Sequence, residues 1–253
     1  MLDNYVLGVD VWEGDSARVD YVLLYQKGVR YAFVRLNDMS GGHHLDANFA
    51  IAWANVGKAG MARAPYFVYN PWVDGKTNFA WANAHMPVEA KAVAIDIEVK
   101  YAGITPLKYA QDVSEFVSLC KAKWNTIIYT GAWFKDHLAF WPSTCEYWLA
   151  QYPYTFWYEG QSTTWEQVHA YAKLLSFPPY SSRYFPGVTR FWQCSGDKLN
   201  LPGCQAEIDI NIWNGLEEDV RKWFGEVYVP PAVPTRDECI DNLLKKNGYI
   251  WKA

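Results

Sequence analysis

Charge is the first thing this chain is short of. Only 20% of its 253 residues are Asp, Glu, Lys or Arg, and the formal net charge is −4. Nucleic-acid binders usually carry a basic face, so this balance argues against such a partner. Long apolar runs are missing as well. No stretch reaches the roughly 18 apolar residues that a transmembrane helix needs, so membrane insertion is not expected. The opening Met1-Leu2-Asp3-Asn4-Tyr5 lacks the basic and apolar regions of a secretory signal. Cysteine is sparse and scattered. Cys120, Cys145, Cys194, Cys204 and Cys239 make an odd set with no Cys-x-x-Cys pair, which excludes a zinc knuckle and a dense disulfide framework. Cys194 and Cys204 flank a short loop with Gly and Pro, and could either pair or stay free. His43, His44, His85, His137 and His169 fall into no metal-ligand spacing, so no metal or other cofactor is expected.

Apolar and aromatic side chains are plentiful. Hydrophobic residues make up 51% of the chain and aromatics 17%, with 14 Trp and 18 Tyr. A core can be built from Leu, Ile and Val, so the aromatic excess has two readings. One is a Trp-rich core. The other is a groove whose aromatic faces stack on the apolar C–H faces of sugar rings.

The pattern along the chain is α/β. Strand-like runs fall near 5–11, 30–37, 62–70, 92–98, 125–130, 146–152, 189–194 and 207–212. Helical patterns fill 16–27, 46–59, 76–86, 106–123 and 132–139. The 106–123 helix is the clearest: Thr105 can cap it, Pro106 sits in its first turn, and Tyr109, Val113, Phe116, Val117 and Cys120 share one face. After the sixth strand the alternation fails. Residues 153–188 hold at most one helix, around 164–175, and the last two strands are too close for a crossover helix. Eight strands with helices after only the first five point to an irregular, TIM-like barrel. Residues 227–234 read as a stiff Pro-rich linker, and 235–253 as a short C-terminal helix or tail. That tail either packs on the barrel, mediates self-association, or begins a further domain.

Acidic residues carry the chemistry. Asp10 ends the first strand. Asp96 and Glu98 stand two apart on the fourth, which puts both carboxyls on one face and Ile95 and Ile97 on the other. Asp209 lies in the last strand. In a barrel of parallel strands, catalytic groups gather where strands end. Strands one, four and eight therefore bring four acids towards one pocket. Crowded carboxyls cannot all ionise easily, so one holds its proton towards neutral pH. A protonated acid beside ionised ones is what glycosidic cleavage requires. The bland reading of each acid, a helix cap or an ion pair, is hardest to apply to Asp96 and Glu98, because charge in an apolar strand is costly.

The chain resembles family 25 glycoside hydrolases to about residue 224. The pieces that carry the likeness occur in family order. They are Gly8-Val9-Asp10-Val11, residues 28–35, Asp46 with Phe49, Ala59-Gly60 leading to Pro65-Tyr66-Phe67, and Asp96-Ile97-Glu98. The second half adds Ile127-Ile128-Tyr129-Thr130, the run from Trp148 to Tyr152, Trp192-Gln193 and Asp209-Ile210-Asn211. The resemblance implies a (β/α)5(β)3 catalytic barrel over 1–226. It also implies hydrolysis, with retention, of the β-1,4 bond from N-acetylmuramic acid to N-acetylglucosamine in bacterial peptidoglycan. Glu98 then matches the general acid/base, Asp96 the group that orients the N-acetyl substituent, and Asp10 and Asp209 the remaining acids. Tyr66, Trp72, Tyr129, Trp148 and Trp192 are the candidates for the substrate groove.

There are departures from the family pattern. Trp12-Glu13-Gly14 replaces the usual Ser and Gln-Gly, Tyr66-Phe67-Val68 the usual Tyr-His-Phe, and Asn37-Asp38-Met39 the usual Thr-Glu-Gly. All three border the groove and bear on glycan preference. The other reading is a catalytically silent glycan-binding or virion module on the same barrel. A muramidase without a leader fits phage- or prophage-type release onto the cell wall, or loss of a leader.

Overall fold

The computed structural model describes residues 4–39, 42–153 and 161–228. Eight strands close into a barrel: β1 (Tyr5–Val11), β2 (Val29–Arg35), β3 (Ala62–Val68), β4 (Ala92–Asp96), β5 (Asn125–Gly131), β6 (Glu146–Ala150), β7 (Val188–Asn200) and β8 (Ile208–Asn214). Neighbours from β1 to β7 pair in parallel. The last strand runs the other way: β8 is antiparallel to both β7 and β1, as the connection too short for a crossover helix requires. A short strand at Gln161–Ser162 pairs with the far end of β7.

Helices follow the first five strands. They are α1 (Tyr21–Gln26), α2 (Phe49–Lys58), α3 (Gly75–His85), α4 (Pro106–Lys121) and, after β5, a 3-10 helix at Ala132–His137. The helix expected over 16–27 is broken in two. A 3-10 turn at Ser16–Arg18 ends before Asp20, whose carboxylate accepts the Leu23 N–H at 3.0 Å and starts α1 afresh. Thr105 caps α4 through the Lys108 N–H at 3.2 Å, with Pro106 in the first turn. Two more helices follow: α5 (Trp165–Leu174), opened by a Thr164–Gln167 capping box, and α6 (Glu217–Trp223). Among the described residues no helix is long and apolar enough to cross a membrane. The expected linker and tail lie outside the described residues from position 229 onwards.

Strand periodicity divides the core in two. Leu7, Val9, Val34, Phe67, Ile95, Ile128, Leu149, Trp192 and Ile210 point outwards and pack under the helices. The inner set alternates with them: Val6, Tyr31, Phe33, Ala62, Ala64, Ala92, Ala94, Ile127, Trp148 and Phe191 fill the barrel. Small residues on β3 and β4 make room for large rings on β2, β6 and β7. Phe33 stacks on Trp148 with centroids 4.3 Å apart and meets Phe191 edge-on at 5.2 Å. From below, Phe224 at the end of α6 reaches Tyr31 at 5.5 Å and Phe33 at 5.4 Å, sealing that end of the barrel. The four cysteines at 120, 145, 194 and 204 are free thiols, so the Cys194–Cys204 pairing does not form. Cys194 instead points outwards from β7 and lies 3.4 Å from the Ile210 carbonyl.

Gly8 is a tight point of the barrel interior, since a Cβ there would fall 2.1 Å from the Tyr31 ring. Gly8→Ala should therefore destabilise the fold by about 1–3 kcal/mol through overpacking. A urea unfolding midpoint equal to that of the wild type would show that the barrel interior yields at this position.

Candidate active site

The end of the barrel opposite Phe224 is open and polar. Above the aromatic rings, the inward positions change character: Asp10 on β1, Arg35 on β2, Tyr66 on β3, Asp96 on β4, Tyr129 on β5, Gln193 on β7 and Asp209 on β8. With Glu98 just beyond β4, these residues line a cleft of ≈350 Å³. The antiparallel course of β8 brings Asp209 here, near the start of its strand, at the end where the parallel strands finish. Asp10 and Asp209 are direct partners across the β1–β8 ladder.

Gln193 and Asn211 hold the lower part of the cleft together. The Gln193 Nε2 group donates to Asp10 Oδ1 at 3.1 Å, to Asp10 Oδ2 at 3.0 Å and to Asp209 Oδ2 at 2.9 Å. Its Oε1 accepts from the hydroxyls of Tyr129 and Tyr152, each at 2.8 Å. Asn211 Nδ2 donates to Asp10 Oδ2 at 2.6 Å, while its Oδ1 accepts from Trp148 Nε1 at 2.7 Å. Amide donors directed at both oxygens of Asp10 match an ionised carboxylate, which can only accept.

Asp96 and Glu98 are in a different environment. Asp96 is buried, and its Oδ1 has no hydrogen-bond partner among the described residues. Burial, then the nearby Glu98 and Asp10, push its carboxyl well above the usual range, with Arg35 pulling the other way. Burial and the Asp10 charge raise Glu98 to about 7. One cleft thus holds a carboxyl that keeps its proton to near neutrality beside a carboxylate tied into amide donors, a pairing suited to general acid catalysis.

Of the aromatic groove candidates, Tyr66, Tyr129 and Trp148 line the cleft. Tyr129 and Trp148 are nearly buried and form its floor. Trp72 is exposed on the turn after β3 and sits 5.3 Å from the Tyr101 ring, outside the cleft lining. Trp192 does not reach the cleft. Next to inward Gln193, it must point outwards, where it is buried and donates to the Gln151 carbonyl at 2.7 Å.

Tyr152 and Arg35 were not singled out from sequence as site residues; Gln193 and Asn211 entered only as residues of matched family pieces, and Trp12 only as a departure bordering the groove. The period-2 rule could have found two of them, because Asn211 stands two residues after Asp209 and Gln193 has the opposite parity to Trp192. Trp12 is a rim residue, 38% exposed. Arg35 supports it with its guanidinium 4.8 Å from the ring, while Arg35 itself is held by Asp46 at 2.7 Å. Among the described residues no group of three or more His, Cys, Asp or Glu is arranged to hold a metal ion.

Comparisons with known proteins agree with this geometry. The family model described as "Glycosyl hydrolases family 25" matches residues 9–178. The fold is similar to that of a bacterial lysozyme from Streptomyces coelicolor, at 18% identity and a TM-score of 0.69, covering 88% of this chain and 98% of that one. It is also similar to a family 25 glycosyl hydrolase from Bacillus anthracis, at 19% identity and a TM-score of 0.66, covering 88% and 96%. A GH25 lysozyme from Aspergillus fumigatus gives 19% identity and a TM-score of 0.64, covering 87% and 99%. No curated protein sequence matches the chain significantly.

The raised Glu98 carboxyl should be visible in stability. A group lifted from 4.5 to about 7 on folding contributes fully below its unfolded value, and that contribution is lost as pH rises through about 7. Relative to the wild type, Glu98→Gln should therefore gain about 3 kcal/mol between pH 4 and pH 8. Urea unfolding of both proteins at those two pH values measures it, and a difference that does not change with pH would contradict the burial of this charge.

Proposed function

The chain belongs to glycosyl hydrolase family 25, and on that premise we propose that it is a muramidase acting on the glycan strands of bacterial peptidoglycan. The bond cut is the β-1,4 link from N-acetylmuramic acid to N-acetylglucosamine. The observation that carries this reading is the contrast within one cleft. Glu98 is held protonated up to about 7, and beside it Asp96 carries a buried oxygen with no partner.

In this mechanism Glu98 donates its proton to the glycosidic oxygen as the C1–O bond breaks. The acetamido oxygen of the muramic acid residue closes on C1 from the opposite face and forms a cyclic oxazolinium. Asp96 Oδ1, which no protein donor among the described residues reaches, accepts the acetamido N–H. Glu98, now a carboxylate, takes a proton from water as that water attacks C1 and opens the ring. Two inversions at C1 give net retention. Asp10 and Asp209 add negative charge below the cationic intermediate and hold the network in register. No step requires a cofactor. Trp12, stiffened by Arg35 behind its ring, and Tyr66 offer faces for sugar rings at the rim. Because the natural substrate is the bacterial wall, the protein's place of action is the cell wall.

Glu98→Gln keeps the shape of the side chain and removes the transferable proton. Hydrolysis of soluble glycan strands should fall by about 10²–10⁴, with binding to purified walls retained. Mass spectrometry of a wild-type digest should find N-acetylmuramic acid at the new reducing ends. Near wild-type turnover by the pure variant, or N-acetylglucosamine at those ends, would overturn the assignment.

A further inference from the structure

Gln193 is more fully matched than a core amide needs to be. It is 2% exposed, so its polar atoms depend on protein partners. The nitrogen faces two carboxylates and the oxygen faces two tyrosine hydroxyls. This pattern fixes the amide orientation, since a flipped amide would set its oxygen against Asp10 and Asp209. Gln193 pairs with Asn211 across the β7–β8 hairpin and with Ala150 on β6, and that small side chain leaves space for the amide. Its partners come from β1, β5, β8 and the segment after β6, so one side chain links strands on both sides of the point where the barrel closes.

We propose that Gln193 is a positioning residue that keeps Asp10 and Asp209 side by side as carboxylates and thereby sets the pH range over which Glu98 can act as an acid. The argument is electrostatic. Asp10 and Asp209 face each other directly across an antiparallel ladder, where like charges repel. Left alone, the pair would relieve that repulsion by binding a proton. The shared amide donor stabilises both charges at once, and Asn211 adds a second donor to Asp10. The Asp10 charge is in turn one cause of the raised Glu98 carboxyl, the other being burial. Among the described residues, titratable groups face this network from every side of the cleft: Tyr31 and Arg35 on β2, Asp38 after it, Tyr66 on β3, Asp96 and Glu98 at β4, Tyr129 on β5 and Tyr152 after β6. Arg35 is held by Asp46 at 2.7 Å, and the Gln193 amide that bonds both carboxylates is itself neutral. A neutral donor leaves their negative charge uncancelled towards Glu98, which an arginine in the same place would not.

Gln193→Met keeps the bulk and removes the amide. The inference rests on Glu98 being the acid, so the test has a reading that needs no turnover: carbon NMR titration of labelled carboxyl groups. With its donor gone, Asp10 should bind a proton more readily and Glu98 should ionise more easily. The Glu98 midpoint should fall by about one pH unit, and the alkaline limb of kcat/KM should move down with it. Activity should then drop about fivefold at pH 7 and hardly at all at pH 5. Tyr152→Phe, a milder change that removes one hydroxyl from the amide oxygen, should shift both readings in the same direction by less. A rate lowered by one factor at every pH, with the Glu98 midpoint in place in both variants, would reduce Gln193 to a structural residue and overturn the proposal. An active Glu98→Gln enzyme would sink the catalytic assignment instead, and the carboxyl titration would still decide the coupling.

Discussion

Asp10 and Asp209 occupy opposed positions on neighbouring strands, with side chains pointing into the same narrow barrel. Like charges so placed destabilise a ladder, and most of the upper cleft is arranged around offsetting that repulsion. Gln193 bridges the pair, Asn211 supports one member, and Tyr129, Tyr152 and Trp148 orient the two amides. Each of these side chains is inward-facing or adjoins a strand end, so the network depends on barrel closure. A shift of β8 by one residue would turn Asp209 and Asn211 outwards and bring Ile208 and Ile210 into the cleft.

The two ends of the barrel divide stability from chemistry. The lower end is aromatic: rings from β2, β6 and β7 interlock, and Phe224 and Trp223 of the α6 region close it. Alanines on β3 and β4 and the missing side chain at Gly8 let these rings pack without strain. This gives the upper end a rigid base on which acids can be held at fixed separations. Positioning of that kind contributes to catalysis because the groups need little rearrangement when charge develops.

Holding Asp96 and Glu98 in that cleft opposes folding at neutral pH, since burial disfavours their charged forms. Amide donors relieve the lower acids, whereas Asp96 keeps an unpartnered oxygen. A fold selected only for stability would fill such a position with an apolar residue. Placing such groups where the cleft opens is the pattern expected when function and stability compete.

Much of this was legible in the sequence. Strand-like runs, the capped helix from Pro106 and the spacing of Asp96 and Glu98 are local signals, set by propensity and by the period of side chains along a strand. They gave the α/β class, all eight barrel strands and the four acids. Other features depend on contacts far apart in the chain. The pairing of β8 with β1, the choice of inner over outer face for Gln193 against Trp192, and the meeting of Asn211 with Asp10 across 201 positions all required the closed barrel. The same holds for the elevation of Glu98, because a carboxyl is perturbed by the burial and charge around it in space, and residues distant in sequence supply both. The sequence alone determined which residues could carry the chemistry, and the tertiary structure decided which of them share one low-dielectric cleft and which proton stays there.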